Sequence, residues 1–356
     1  MPRTKFTIAQ VTSRLMLASC FMTPGLSYAA DITWSGFASV AAGQTLGSDD
    51  AEYVVDNATG GAYDNTLRFL PESTMAIQAF AQVNESVSAT VQAVAKGSNE
   101  KSFDTSFEWA YATLVVTDNT KINFGRFRAP LFYYSDFLDT SYAYYWLRAP
   151  TDMYVAPYST TTGVSLNDFR YLGDFELSTQ IWTGEEQIEF LGSPGELTDM
   201  IGINFMLAYD WIKLRAVYNT MDSAIEGLGV DTKLIYSAYA VIADYENFKF
   251  RSEYGNLEDD DTGLEDKFGY ASVGYTIGNF TPHYTYSEQD RAAFFLAEVE
   301  THTIGIRWDY FPGTAFKLEY SESTTEATPC DPMSGMCLPP QETKIEVVAA
   351  AIDLVF

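Results

Sequence analysis

Only two histidines and three cysteines occur in this chain of 356 residues, and 21 basic residues face 48 acidic ones. Each scarcity removes a class of function. His283 and His302 lie far apart and neither sits beside a cysteine cluster, so a zinc site has no ligand set and no metal is expected. The formal net charge of −27 argues against nucleic acid and anionic membrane surfaces, whose partners gather Lys and Arg on one face. H-E-x-x-H, G-x-S-x-G and Gly-rich phosphate loops are absent, and no enzyme activity or cofactor is expected. Beyond the N-terminal segment, no apolar run reaches the roughly 18 to 20 residues of a membrane-spanning helix.

The N-terminal segment itself is an export signal. Arg3, Lys5 and Arg14 make a positive, acid-free start, Leu15 to Leu26 make a short apolar run, and SYAAD follows. Ser27 and Ala29 suit a signal-peptidase site, which gives a signal peptide over residues 1–29 and a mature domain over 30–356. A competing address is the L-A-S-C of Leu17 to Cys20, which resembles a lipoprotein box. It leaves only Leu15 to Ser19 after the last arginine, short of the about 7 to 15 residues of an h-region. Cleavage removes three of the 21 basic residues and none of the 48 acidic ones, taking the charge from −27 to −30. Cys330 and Cys337 then remain, and an oxidising compartment is expected to join them as a disulfide across the outer loop 322–341, with two free thiols as the alternative.

What the mature chain does have is alternation. In NFKFRSEYGN, Phe248, Phe250 and Tyr254 take one side while Lys249, Arg251 and Glu253 take the other. IKLRAVYN sets Ile212, Leu214, Ala216 and Tyr218 against Lys213 and Arg215; AFKLEYSES sets Phe316, Leu318 and Tyr320 against Lys317 and Glu319. THTIGIRWDY opposes Ile304, Ile306 and Trp308 to Arg307, and His302 shares the side of Ile304. About sixteen such segments occur, with aromatics near their ends, and their connections alternate between short ones such as NES, DNT and DYEN and long ones. The long connections are placed at 43–65, 97–105, 129–160, 184–198, 221–232, 256–265, 288–297 and 322–341.

A soluble β-sandwich would also alternate, but it explains neither the two kinds of connection nor the aromatic ends. An antiparallel transmembrane β-barrel explains both, and closure leaves no unpaired edge in lipid. Half of each strand then faces water, which accounts for a mean hydropathy of only −0.09. Sixteen strands leave a water-filled interior, whereas eight are filled by side chains. The final strand fits: Val348, Ala350, Ile352, Leu354 and Phe356 make one apolar face running to the last residue.

SYAAD, the strand KINFGRFRAP entering a long third loop, that loop with its SDFLDTSYAYYWLRAP, and the terminal AAAIDLVF together resemble the general trimeric porins of Gram-negative bacteria. The resemblance implies an outer-membrane homotrimer, inserted by the barrel assembly machinery, surrounded by lipopolysaccharide, and passing small hydrophilic solutes and ions by diffusion. It implies that the third loop, 129–160, folds into the lumen and sets carboxylates against a basic wall. Asp136, Asp139 and Asp152 are the loop candidates. Alternation places Lys213, Arg215, Lys249, Arg251, Arg307 and Lys317 on the inner wall, since a cation in mid-lipid costs about 2 to 4 kcal/mol. Arg68, Arg126 and Arg128 are expected to join them, although Arg126 shares the parity of Ile122 and Phe124 and needs a bulge to turn inward.

Two other functions remain open at this point. One is a channel preferring small anions or carboxylates, drawn by those cations; the other is a non-conducting structural or adhesive barrel with a plugged lumen. NLEDDDTGLED, residues 256–266, is an acidic loop able to hold Ca²⁺ or Mg²⁺ weakly through oxygen ligands, although it lacks EF-hand spacing.

Overall fold

The computed structural model describes residues 31–47, 52–56, 61–98, 102–154, 158–190, 192–227, 229–292, 297–328 and 339–356. The signal peptide, the L-A-S-C motif, Cys330 and Cys337 lie outside the described residues.

Among the described residues eighteen strands follow one another: β1 (Asp31–Leu46), β2 (Tyr53–Asp56), β3 (Gly61–Tyr63), β4 (Thr74–Asn84), β5 (Val87–Gly97), β6 (Phe103–Val115), β7 (Thr120–Arg128), β8 (Thr160–Leu172) and β9 (Phe175–Phe190) make the first half. The second half holds β10 (Ser193–Tyr209), β11 (Ile212–Ile225), β12 (Val230–Tyr245), β13 (Phe248–Asp259), β14 (Leu264–Tyr275), β15 (Phe280–Arg291), β16 (Ala297–Phe311), β17 (Thr314–Ala327) and β18 (Gln341–Val355). All but β2 and β3 form one closed antiparallel barrel of 16 strands, each paired with its sequence neighbour.

Closure falls on β1, which is shared between two partners. Its first half pairs with β4 (Asp31↔Gln82 to Ser39↔Thr74) and its second with β18 (Phe37↔Val355 to Leu46↔Glu346). Where β4 ends, Arg68 takes over the β1 edge through paired bonds with the Gly43 backbone, both 2.9 Å. Phe356 closes the seam at the other end through backbone bonds of 2.8 and 3.0 Å with Gly36. A side chain on Gly36 would meet the Phe356 ring at 2.7 Å, so the seam needs a glycine there.

Polarity runs opposite to that of a soluble sandwich. Ile304, Leu318, Ile352 and Leu354 stand exposed on the outer face, while Thr285, Ser287, Gln289, Thr301, Ser321 and Ser323 are buried on the inner one. An apolar outside around a polar inside is the arrangement lipid selects. Near the tight turns the outer rings touch in sequence: Phe175 with Tyr209 at 4.9 Å, Trp211 with Tyr245 at 5.6 Å, and Phe280 with Trp308 at 5.7 Å. They form an aromatic girdle of the kind that sits at a membrane interface.

Three expected long connections are not loops. β9 and β10 stay paired to Phe190↔Ser193, β11 and β12 to Ile225↔Val230, and β13 and β14 to Asp259↔Leu264. Above the lipid the alternation keeps its period but inverts its polarity. Leu197, Met221 and Leu234 are buried inside, while Glu185, Glu196, Asp222 and Asp231 are exposed outside. A search for outward apolar residues loses the strand there. In the acidic segment 256–266 the hairpin uses its own ligands, because Asp259 accepts from the Thr232 hydroxyl at 2.6 Å and from the Asp261 and Thr262 backbone.

Candidate functional site: the lumen and its inserted loop

β7 ends at Arg128, and the chain then leaves the wall until Thr160. Pro130 and Pro150 deny it ladder bonds, and among its described residues two short 3-10 turns, Ser135–Phe137 and Ser141–Ala143, interrupt its irregular course. Its bonds identify where it runs. Arg215 on β11 donates to the carbonyls of Leu131, at 2.8 Å, and of Pro130. Glu253 on β13 accepts from the Tyr133 N–H at 2.7 Å and from the Tyr154 hydroxyl, and also from Tyr270 on β14 at 3.0 Å. Trp146 donates to Ser272 on β14 at 3.0 Å and Thr285 on β15 at 2.9 Å. Arg307 on β16 holds the carbonyls of Tyr142 and Tyr144, both at 2.7 Å, and Glu319 on β17 accepts from the Leu147 N–H at 2.6 Å. On the far side Asp139 meets Lys96 of β5 at 2.8 Å and Arg128 of β7. A segment reaching all these inward side chains runs through the interior of the barrel.

Packing supports the same course. Phe132, Tyr134, Tyr144, Tyr145, Trp146 and Met153 of the loop form one buried cluster with Trp182, Leu197, Met221, Tyr236, Phe268 and Tyr270 of the wall. Trp146 is 1% exposed and stands edge-on to Tyr134 at 5.6 Å and to Tyr270 at 5.4 Å, a geometry that ring quadrupoles favour. Irregular backbone at this depth is tolerated because protein covers it and supplies its bonds. The tyrosine-rich composition of 135–150 is thus the loop's attachment to the β11–β15 wall.

The inward cations are present, and most are committed to partners. Arg215 and Arg307 hold loop carbonyls, and Lys317 is buried between Asp353, at 2.7 Å, and the Ser141 carbonyl. Arg251 makes a two-pronged bond with Asp244, at 2.8 and 2.9 Å, and a third to the Tyr134 hydroxyl at 3.0 Å. Lys249 also faces Asp244, at 3.4 Å, and Arg128 lies between Glu108, at 3.1 Å, and Asp139. Arg126 does turn to an inner partner, Glu186, at 2.9 Å; the irregularity lies next to it, in Gly125 at φ 127°. A bulge on the facing strand β6, between Trp109 and Phe107, accompanies it. Lys213 makes a 3.5 Å contact with the Tyr133 hydroxyl.

Arg68 joins the barrel edge opposite Gly43. It lies between β3 and β4 and is held by Asp64 at 3.0 Å, and its guanidinium keeps the Asp64 carboxyl well below the usual carboxylate range. Of the three loop carboxylates, Asp139 is tied to Lys96 and Arg128, and Asp152 is buried and accepts from Ser287 at 2.6 Å. Asp136 is exposed and borders a cavity. Charges opposite one another in a narrow dry space neutralise each other rather than stand bare, because an unpaired buried charge is costly.

Two features escaped sequence reasoning. The hairpin of β2 and β3 also enters the barrel: Tyr53 and Tyr63 pack with Leu147 of the loop on Ala41, Val347, Ala349 and Ala351 of the wall. Arg148 lies over both tyrosine rings, at 5.4 and 5.9 Å, and makes an ion pair with Glu72. The available signal was the run of small inward residues on β1 and β18; a side chain on Gly43 would meet the Tyr63 ring at 2.7 Å. The second feature is Glu253 and Glu319, legible as inward but not as acceptors for loop N–H groups.

The inserted loop divides the open space. On the tight-turn side lies a cavity of about 830 Å³, bounded by Tyr133, Asp136 and Phe137 of the loop and by Asn167, Gln180, Asn204 and Lys213 of the wall. On the other side lies one of about 290 Å³, bounded by Asp139, Tyr144, Arg148, Lys96, Arg126 and Glu186. His302 faces outward against Tyr284, at 2.7 Å, and His283 is buried inside against Tyr145.

No protein-family model matches the chain, and no curated protein matches its sequence. Solved structures do match its shape. The outer-membrane channel DcaP of Acinetobacter baumannii superposes with a TM-score of 0.61 at 13% identity, covering 92% of this chain and 97% of that one. The anion-selective porin of Comamonas acidovorans gives 0.58 at 13%, covering 92% and 100%. The trimer form of OmpT, an outer-membrane protein of Vibrio cholerae, gives 0.56 at 10%, covering 92% and 99%. The chain therefore has the barrel fold of Gram-negative outer-membrane porins.

Proposed function

We propose that this chain is an outer-membrane porin, a non-enzymatic diffusion channel for small hydrophilic solutes and ions. The observation that carries the reading is the inverted polarity of a closed barrel whose interior holds polar cavities on both faces of an inserted loop. A water-filled route past a protein constriction selects by size and by local charge. Three barrels are expected to associate through the outer face of β4, β5 and β6. There Ala79, Ala81, Ala89, Ala93, Ala110 and Ala112 offer a flat surface of small residues that allows close approach in lipid, while the ring pairs of the girdle lie on later strands. The trimer form of the similar Vibrio protein supports this assembly. Lipopolysaccharide is the expected lipid around the outward carboxylates Glu288, Glu298 and Glu300, with divalent ions as bridges.

Preference for small anions has its own support, since Lys121, Lys213, Arg215 and Arg251 border the larger cavity and one similar barrel is an anion-selective porin. Pairing weakens it, because Arg215 and Arg251 are already satisfied. With the surplus charge of the chain acidic, the mouths gather cations. Reversal potentials across a planar bilayer under a salt gradient are expected to show a modest cation preference that fades as ionic strength rises. A sustained anion preference would transfer the proposal to the anion-preferring channel.

A further inference from the structure

We propose that the larger cavity is a subsite for small, uncharged, polyhydroxylated ring solutes, of the size of one or two sugar units. This deepens the porin reading and rests on it for the route by which solute arrives. The volume of about 830 Å³ lies within the range of small-molecule sites, which combine apolar or aromatic walls with a few placed polar groups. Here the two kinds of wall come from different elements.

The aromatic wall comes from the loop. Phe137 is 53% exposed although it sits inside the barrel and borders this cavity, and among the described residues no other ring stacks on it. A large apolar ring left bare in a wet interior is the exception that asks for an occupant. The aliphatic C–H face of a pyranose covers such a ring while its equatorial hydroxyls point sideways. The polar wall comes from β8, β9 and β10, where Asn167, Gln180 and Asn204 reach the same space. Side-chain amides both donate and accept, so this wall can meet ring hydroxyls in either role.

Charge decides between neutral and ionic occupants. Around this cavity Arg215 is spent on the Leu131 and Pro130 carbonyls, Arg251 on Asp244 and Tyr134, and Asp168 on Arg170 and Thr120. Lys121, Lys213, Asp118 and Asp136 also border it, two charges of each sign. An ion gains on one side what it loses on the other and still pays to shed its hydration, whereas an uncharged polyol sheds only hydroxyl hydration that the amides replace.

The test is calorimetric titration of the folded, detergent-solubilised full chain with maltose, with sorbitol as an acyclic polyol lacking the ring face, and with gluconate as an anion. Saturable heat is expected for maltose, in the millimolar range, and about tenfold weaker binding for sorbitol and gluconate. Phe137→Ala is expected to weaken maltose about tenfold and Phe137→Tyr to restore it, with Gln180→Ala weakening it as well. Heat-modifiable electrophoretic mobility confirms that each variant is folded. No saturable heat from folded wild type overturns the proposal, as does equal binding by Phe137→Ala or tighter binding of gluconate. Conductance is measured separately, so a barrel that conducts without binding maltose rejects the subsite and leaves the porin reading standing.

Discussion

Trp146→Ala is expected to raise the mean single-channel conductance and to turn a steady current into a flickering one, while the thermal unfolding of the barrel strands barely moves. Trp146 is the centre of the loop's attachment, touching Tyr134, Tyr144, Tyr145 and Tyr270. Truncating a fully buried tryptophan costs about 3 to 5 kcal/mol. Its two hydroxyl partners do not become orphans, because Ser272 and Thr285 already lie 2.6 Å from each other. The loss is therefore one of packing, and it falls on the loop rather than on the interstrand ladder, which contains no Trp146 bond. Local opening of the segment then becomes cheap while global stability is kept. Bilayer recordings and circular-dichroism melts check the two halves. An unchanged conductance with a lowered barrel melting point would place Trp146 in the scaffold and not in the constriction.

The second large effect is expected at Glu253. This buried carboxylate accepts from the Tyr133 N–H and from the hydroxyls of Tyr154 and Tyr270. Two of those donors are loop residues 21 positions apart in the chain, so one wall side chain fixes both ends of the insertion. Glu253→Ala strands all three donors, at about 1 to 3 kcal/mol for each, and Glu253→Gln, which keeps one acceptor oxygen, is expected to lose roughly half as much. Amide hydrogen exchange of the micellar protein reads this directly. Protection over 129–154 is expected to fall at least about a hundredfold in Glu253→Ala, with β11 to β14 unaffected. Loss of protection in those strands together with the loop would show that Glu253 stabilises the sheet itself.

Where local alternation carried the information, the fold was legible. Phe248, Phe250 and Tyr254 face out and Lys249, Arg251 and Glu253 face in, as their spacing implies, because the pleat assigns faces without reference to any distant residue. The loop was legible as a gap in that period. Its occupants' partners were not: Asp139 meets Lys96 and Arg128 only because the loop crosses the lumen, and no spacing encodes a contact across a cavity. The same limit hid Arg148 with Glu72 and the insertion of Tyr53 and Tyr63. The strand pairs above the lipid were missed for another reason. Lipid makes the outer face apolar only over its own thickness, and beyond it Leu197, Met221 and Leu234 take the inner face and acids the outer. Arg68 bridges the β1 edge before β4 begins, but its ion pair with Asp64 was not legible in the spacing.

The central claim is a sealed, hydrated cylinder narrowed by residues 129–159, and single-channel recording of the purified, folded wild-type chain in a planar bilayer tests it most directly. Discrete, ohmic current steps are predicted, with larger steps from Trp146→Ala under the same conditions. Folded protein that inserts and carries no current, in wild type and in Trp146→Ala alike, would contradict the account and favour a plugged structural barrel.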